Sequence, residues 1–310
     1  PTYKSVSKVI CETCDNRLEG IIIGRSHRNM SEPVMDVTIN PLSKAIGAEI
    51  LGVDLSEKVD SEDLFHINLA MQKSLVLVFR NQKLEPNNLL SAVRLFGDTM
   101  EQHLTDTLME SHPEIAVLDS REMPPDKEGK IIPFGGRDWH TDHTNHEVPP
   151  KFTVLYAIKL PNSGGDTSFA NMHLAFDSLP QSEKIKLSTL ETVNKIEDFA
   201  YIDESAREKF GKLPIHPLIR THPDTGRKAI YVHPGKLEKI LGMEPAESQD
   251  IIQTLLDKVL TPDICYRHKW REGDLLLCDN RAVLHLAHHD YDLNEGRIMH
   301  RILIKGERPV

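Results

Sequence analysis

The chain has 310 residues, of which 39% are apolar and 27% charged, and 37 basic against 47 acidic side chains give a formal net charge of −10. This composition is typical of a globular protein that buries a sizeable core, and it excludes collagen, coiled coil and intrinsic disorder. Because clustered Lys and Arg carry most nucleic-acid affinity, the negative balance argues against nucleic acid and against an anionic membrane as partners.

The cysteines and the apolar segments bear on the compartment. Four cysteines, at positions 11, 14, 265 and 278, are too few for a disulfide framework. The longest apolar runs have the length of a strand and fall far short of a membrane span. The first residues lack an apolar segment behind a basic start, so no secretory signal is predicted. These features predict a cytoplasmic protein.

Residues 1–33 are polar and without clear periodicity, and we interpret them as an N-terminal extension. Cys11 and Cys14 could form half of a zinc site, but no second pair at zinc-finger spacing follows, so the pair without a metal is favoured. After residue 34 no Pro-, Ser- or Gly-rich linker divides the chain. Residues 34–310 are therefore predicted to form one domain.

The first half of that domain mixes helices and strands. The pattern predicts an amphipathic helix over 61–73 behind a serine cap, a buried strand over 74–80 and a helix over 86–96 with proline in its first turn. Residues 120–137 are rich in proline and glycine and indicate a long loop of the kind that often acts as a lid. A strand is predicted over 152–160.

The second half turns helical and then returns to strands. Helices are predicted over 178–192 and 247–260, with a hairpin around Asp224-Thr-Gly226 between them. The strand-like segments near the C-terminus are 264–270, 274–278, 282–287 and 297–305. Strands near both ends with helices between them indicate an α+β or mainly β fold, an antiparallel barrel or jelly roll bearing helices.

One local motif, His140-Thr-Asp142, stands out among the 16 histidines. On extended backbone, residues two apart point to the same face, so His140 and Asp142 would project together and offer two ligands to a metal. From these three residues alone, a surface His-Asp pair without a metal remains an open alternative.

A third ligand could come from His285, which follows the turn-like Asp279-Asn280-Arg281. Two histidines and one carboxylate leave three positions of an octahedral ion open, which is the arrangement of non-haem Fe(II) oxygenases. Further on, Arg297 and Arg301 would point to one face of a strand, where a guanidinium can hold a carboxylate at two points. Taken alone, the two arginines could equally be solvated surface charges.

Together these residues resemble the ordered motifs of the taurine dioxygenase/TfdA family of Fe(II)- and 2-oxoglutarate-dependent dioxygenases. The likeness covers about residues 35 to 310. The motifs are His140-x-Asp142, Gly164-Gly165-Asp166-Thr167, Asp279-Asn280-Arg281 with His285, and Arg297-Ile-Met-His-Arg301. The resemblance implies a double-stranded β-helix, or jelly roll, with inserted and flanking helices.

The resemblance also assigns roles by position. It makes His140, Asp142 and His285 the iron ligands. It gives Thr167 and Arg297 to the distal carboxylate of 2-oxoglutarate, and Arg301 to the metal-bound end of that co-substrate and to the substrate anion. His103 falls near a substrate-binding histidine of the family. The spacing from His285 to Arg297 is one residue longer than the family pattern, so the loop over 290–296 is expected to be adjusted.

By the same resemblance, the protein uses Fe(II), 2-oxoglutarate and O2 to hydroxylate a C–H bond of a small organic anion, releasing succinate and CO2. The anion classes are alkylsulfonates, alkyl sulfates and aryloxyalkanoates. Residues Phe134–Trp139 lack the Asp-Asn pattern associated with taurine users, which argues against taurine itself. Family members commonly self-associate, so a homo-oligomer is also implied.

Two alternatives keep parts of this interpretation. A zinc hydrolase could use His140, Asp142 and His285 with a metal-bound water, but it would need no paired arginines at fixed strand spacing. A non-catalytic jelly-roll protein could hold another ligand on the same fold. The joint presence of the three potential ligands and both arginines favours the oxygenase.

Overall fold

The computed structural model describes residues 21–22, 37–102, 105–122, 138–196, 204, 208–209 and 211–310. The strands within them are β1 Ile21–Ile22, β2 Thr38–Pro41, β3 Ala48–Leu51, β4 Val76–Phe79, β5 Leu108–Met109, β6 His112–Asp119, β7 Pro150–Lys159, β8 Thr167–Asn171, β9 Glu191–Asn194, β10 Ile215–Pro217, β11 Ile219–Thr221, β12 Lys228–Ile230, β13 Leu237–Ile240, β14 Cys265–His268, β15 Leu275–Asp279, β16 Val283–Ala287 and β17 Ile298–Lys305. The helices with described ends are α1 Ser61–Ser74, α2 Pro86–Arg94, α3 Met172–Asp177, α4 Gln181–Leu187 and α5 Pro245–Val259.

The largest sheet has nine strands in the order β1-β2-β3-β4-β15-β7-β17-β6-β5. A smaller sheet has the order β14-β8-β16, and β10-β9-β13 and the hairpin β11-β12 complete the set. Strands β4 and β15 pair antiparallel in the middle of the large sheet, with Leu277 opposite Leu77. Both strands are buried along their whole length, which explains why each is apolar without alternation.

The two faces of the large sheet pack differently. On one face, Val76 and Leu276 share a core with Phe169 and Leu284 of the small sheet. On the other face, neighbouring side chains such as Leu77 pack against helices α1 and α2. The structure is thus sheet-rich with flanking helices, in agreement with the predicted mainly β class.

Two helix predictions need correction. Helix α1 is capped by Asp60, whose side chain accepts hydrogen bonds from the backbone N–H groups of Glu62 and Asp63, and not by the serine that follows it. The helix predicted over 178–192 ends early, since α4 stops at Leu187 and residues 191–194 pair as strand β9 with β10 and β13.

Several other elements are confirmed. The predicted strands over 74–80 and 152–160 correspond to β4 and β7. The hairpin around Asp224 forms, with Ile219 opposite Ile230. No helix in the described ranges has both the length and the apolar character that crossing a membrane demands. Cys11, Cys14 and residues 123–137 of the predicted loop lie outside the described residues.

Candidate active site

The segment carrying His140 is anchored to strand β16 by its backbone. His140 and His285 exchange both backbone hydrogen bonds, with N···O distances of 3.0 and 2.8 Å. Their imidazole rings lie 4.3 Å apart between centroids. Two residues distant by sequence therefore become neighbours through one antiparallel bridge.

The side chains of this segment alternate as the sequence predicts. His140 and Asp142 point together, with Nε2 of the histidine 3.8 Å from Oδ1 of the carboxylate. Thr141 points the other way and donates a hydrogen bond to the carbonyl of Asn280 at 2.7 Å. His140 Nδ1 lies 2.8 Å from the carbonyl oxygen of Asp138, so this nitrogen carries the proton and Nε2 keeps a free lone pair.

Asp142 is the centre of the cluster. Its Oδ2 lies 3.8 Å from His285 Nε2 and accepts a hydrogen bond from Thr153, whose hydroxyl in turn accepts from Asn280. Burial raises the pKa of Asp142, but His285, Arg301, His140 and the Thr153 hydroxyl outweigh it and bring this pKa down to about 2. Asp142 is therefore an anion at neutral pH.

Burial has the opposite consequence for His285. It lowers the pKa of His285 to about 3, with His140 acting in the same direction and Asp142 opposing it. The imidazole is thus neutral at neutral pH, which is the form that binds a metal. One ligand atom from each of His140, Asp142 and His285 lies within 4.8 Å of the others, and all three side chains are buried.

Arg301 lies beside this cluster on β17. Its Nε and Nη2 both donate to Oε1 of Gln102, at 3.1 and 3.0 Å, and the amide nitrogen of Gln102 donates back to the carbonyl of Arg301. Gln102 is a site residue that sequence analysis missed. It precedes His103, which lies outside the described residues, so the substrate role predicted for His103 stays a prediction.

Arg297 is held by other means. Its Nε donates to the carbonyl of Gly165 at 3.0 Å, and its guanidinium carbon lies 5.8 Å from the ring centroid of Trp270. Gly165 has φ of +71°, and a Cβ there would lie 3.1 Å from Arg297 Cδ, so glycine is required. Burial lowers the pKa of Arg297, and in the described part of the chain no carboxylate forms an ion pair with it.

The longer loop before Arg297 is attached to the glycine turn. The backbone N–H of Gly165 donates to Asp290 at 2.9 Å, and Arg267 pairs with both Asp166 and Asp290. Arg297, directly before β17, and Arg301 within it both line the same cavity.

One pocket in the described part of the chain brings residues of this cluster together with both arginines. Its wall includes Asp142, His285, Thr167, Arg297 and Arg301. Thr167 is buried at the start of β8, and its hydroxyl accepts a hydrogen bond from Trp270 Nε1 at 3.0 Å. Sequence analysis did not identify Trp270 or Thr153, because no sequence motif shows that the fold brings these two side chains to the site.

The donor set fits the groups that a non-haem iron enzyme requires. Two imidazoles and one carboxylate, of which His285 and Asp142 line the cavity, suit an octahedral ferrous ion that keeps three positions open. On the same wall, Arg297 forms no ion pair with a described carboxylate, which suits an anionic co-substrate. A closed tetrahedral zinc site would need a fourth protein ligand, and none of the described His, Cys, Asp or Glu residues joins the group.

Comparisons with known proteins agree with this arrangement. The family model for taurine catabolism dioxygenase TauD, TfdA family, matches residues 38–303. Pentalenolactone F synthase of Streptomyces avermitilis is 31% identical over 299 residues, covering 89% of this chain and 95% of that protein. The alpha-ketoglutarate-dependent sulfate ester dioxygenase of Pseudomonas putida is 31% identical over 291 residues, covering 89% and 92%.

A solved structure of a taurine dioxygenase from Burkholderia xenovorans superimposes with a TM-score of 0.75 at 31% identity, covering 88% of this chain and 91% of that one. The chain belongs to the TauD/TfdA family. It is therefore a 2-oxoglutarate-dependent dioxygenase that uses Fe(II), 2-oxoglutarate and O2. The resemblance read from the sequence motifs is confirmed.

Proposed function

We propose that His140, Asp142 and His285 hold the ferrous ion and that Thr167 and Arg297 hold the distal carboxylate of 2-oxoglutarate. The observation that carries this proposal is that Asp142 and His285 of the buried triad share one cavity with Arg297, which forms no ion pair with a described carboxylate. Transfer of a charged guanidinium out of water is costly unless an anion compensates it. The carboxylate of the co-substrate is such an anion.

The protein's own residues then bind, orient and exclude water. Thr153 fixes the Asp142 carboxylate, and the Asp138 carbonyl fixes the tautomer of His140. Leu118, Leu155 and Ala287 add apolar surface to the cavity. When bound, iron with 2-oxoglutarate and O2 supplies the oxidising chemistry, and the keto acid leaves as succinate and CO2.

We also infer that the large sheet and the sheet β14-β8-β16 are the two halves of a double-stranded β-helix. The core they share and the family match over residues 38–303 support this. The same match supports the proposal that residues 34–310 form one domain after an N-terminal extension.

The metal assignment is tested by spectroscopy. Anaerobic protein with Fe(II) and 2-oxoglutarate should develop a weak visible charge-transfer band, and His140→Ala should abolish it because the chelate is then lost. His300→Ala is the matched control, since His300 is a neighbour of Arg301 on β17 that does not line the cavity. An unchanged band in the His140 variant would reject the ligand assignment.

For the substrate, we propose a small organic anion. The relatives named above include a sulfate ester dioxygenase and a taurine dioxygenase, whose named substrates carry sulfur oxyanions. In this chain Arg301 supplies a positive charge beside Asp142, and His103 is proposed as a further contact of the anion. Alkyl sulfates, alkylsulfonates and aryloxyalkanoates are the classes that fit.

A screen of succinate release can test the substrate class with matched pairs. An alkyl sulfate should be compared with the alcohol of the same chain length, and an aryloxyacetate with the corresponding aryloxyethanol. We expect release above the uncoupled background only with the charged member of a pair. Stimulation by neutral or cationic compounds alone would contradict the proposal.

A further inference from the structure

The indole of Trp270 contacts both residues assigned to the far end of 2-oxoglutarate. Its Nε1–H donates to Thr167 Oγ1 at 3.0 Å, and its ring centroid lies 5.8 Å from the guanidinium carbon of Arg297. Thr167 begins β8, and Arg297 lies just before β17, so the two belong to different sheets. Trp270, between β14 and β15, is the side chain that connects them.

The direction of the Trp270–Thr167 hydrogen bond is fixed by chemistry. An indole N–H can only donate, so the threonine oxygen accepts. A hydroxyl has one proton to give, and in the described residues Thr167 gives it to no protein group. Because Thr167 lines the cavity, its proton remains available to a ligand there.

The indole itself is held from behind. The edge of the His268 ring meets it at 90° with the centroids 4.7 Å apart. His268 Nε2 lies 3.2 Å from a carboxylate oxygen of Asp274, and Asp274 forms an ion pair with Arg80 on the large sheet. His268 and Asp274 are fully buried. Trp270 is thus positioned by the core and not by the ligand.

We propose that Trp270 is a positioning residue for the co-substrate, presetting the Thr167 hydroxyl and the Arg297 guanidinium to receive one carboxylate. This inference rests on the proposed function, because it takes Thr167 and Arg297 as the carboxylate-binding pair. Preset donors bind more tightly because less conformational freedom is lost when the ligand arrives.

The test is a double-variant cycle on 2-oxoglutarate affinity, measured by anaerobic titration of the Fe(II) charge-transfer band and by calorimetry. Trp270→Phe keeps an aromatic ring beside Arg297 and removes the N–H donor together with part of the ring system. We expect it to raise the dissociation constant for 2-oxoglutarate about fivefold, the size of one lost neutral hydrogen bond. The kcat at saturating 2-oxoglutarate should stay within about twofold, because the reacting end is untouched.

Thr167→Val should weaken binding by at least as much as Trp270→Phe. In the double variant the loss should equal that of Thr167→Val alone, since the indole acts through that hydroxyl. A purely structural role for Trp270 would give additive losses. Tyr156→Phe is the matched control, because it removes a hydrogen bond from a buried tyrosine to the Gln82 carbonyl and should leave 2-oxoglutarate affinity unchanged.

Additive losses, or a Trp270→Phe variant that binds 2-oxoglutarate as tightly as the parent, would overturn the inference. If Trp270→Phe does not fold, Trp270→Leu, which also lacks the N–H donor, takes its place in the same cycle with Thr167→Val. A parent protein with no 2-oxoglutarate-dependent band and no calorimetric binding would overturn the proposed function itself, and this inference with it.

Discussion

Two arginines near strand ends show how differently one fold treats a buried cation. Arg281, which follows β15, donates to both oxygens of Asp279 at 2.8 Å and forms a further ion pair with Asp224 at 2.8 Å. His222 contacts the same Asp279 carboxylate at 3.0 Å. These carboxylates raise the pKa of Arg281 in spite of its burial, so the charge is fully compensated within the chain.

Among the described residues, no carboxylate forms an ion pair with Arg297. Its Nε donates to the Gly165 carbonyl and its guanidinium lies near the Trp270 ring, and burial lowers its pKa although Tyr291 and Asp166 oppose the change. Arg281 lies in a packed network of carboxylates, whereas Arg297 lines a cavity. The difference indicates that Arg281 stabilises the fold, whereas the charge of Arg297 is balanced by a ligand. Substitutions at the two positions should therefore have opposite consequences.

The largest expected effect is on stability at Arg281. Arg281→Met leaves the Asp279 carboxylate buried with only His222 as a side-chain partner, and breaking a buried pair in this way costs about 3–5 kcal/mol. Urea denaturation measures the loss. Arg227→Met is the control, because its ion pair with Asp177 is exposed and should contribute about 1 kcal/mol or less. A change at Arg281 as small as the control would contradict the comparison.

At Arg297 the expected effect is on 2-oxoglutarate binding and not on stability. Arg297→Met should weaken 2-oxoglutarate binding by about 2–5 kcal/mol, because a charge-assisted contact is lost. Without ligand, its free energy of unfolding should equal or exceed that of the parent, since an uncompensated buried charge is removed. Calorimetry and urea denaturation on the same samples separate the two. Loss of stability without loss of affinity would place Arg297 with Arg281 instead.

How far the sequence predicts this molecule depends on how local the signal is. Strands β4 and β7 follow from their own residues, because short runs rich in apolar residues are typical of strands buried on both faces. The predicted helix over 178–192 was wrong at its end, because residues 191–194 pair with β10 and β13, and that pairing overrides local helix preference.

The site divides in the same way. The alternation of His140, Thr141 and Asp142 could be read from three residues, and it places the side chains as expected. The approach of His285 depends on a backbone bridge between distant segments, so the resemblance to a family was needed to expect it. Gln102 and Trp270 carry no motif, and their partners are set by loops and strand order that local pattern does not encode.

The smallest expected effect is on how the stability of the Arg281 variant depends on pH. In the parent, Arg281 and His222 hold the pKa of Asp279 below its ordinary value of 3.8, although burial opposes them. Its contribution to stability is thus present above pH 3.8 and is lost only as the pH falls through the lower folded value.

In Arg281→Met, burial should dominate and raise the pKa of Asp279 above the unfolded value. Acidification then protonates the buried carboxylate and removes its unfavourable charge. The stability gap between parent and variant should therefore narrow between pH 6 and pH 4, by on the order of 1.4 kcal/mol for each unit of pKa change traversed. Urea midpoints across this range measure the gap. Arg297→Met releases no carboxylate partner, so its stability should change with pH in parallel with that of the parent. A stability gap that narrows for this variant would mean that Arg297 has a carboxylate partner after all.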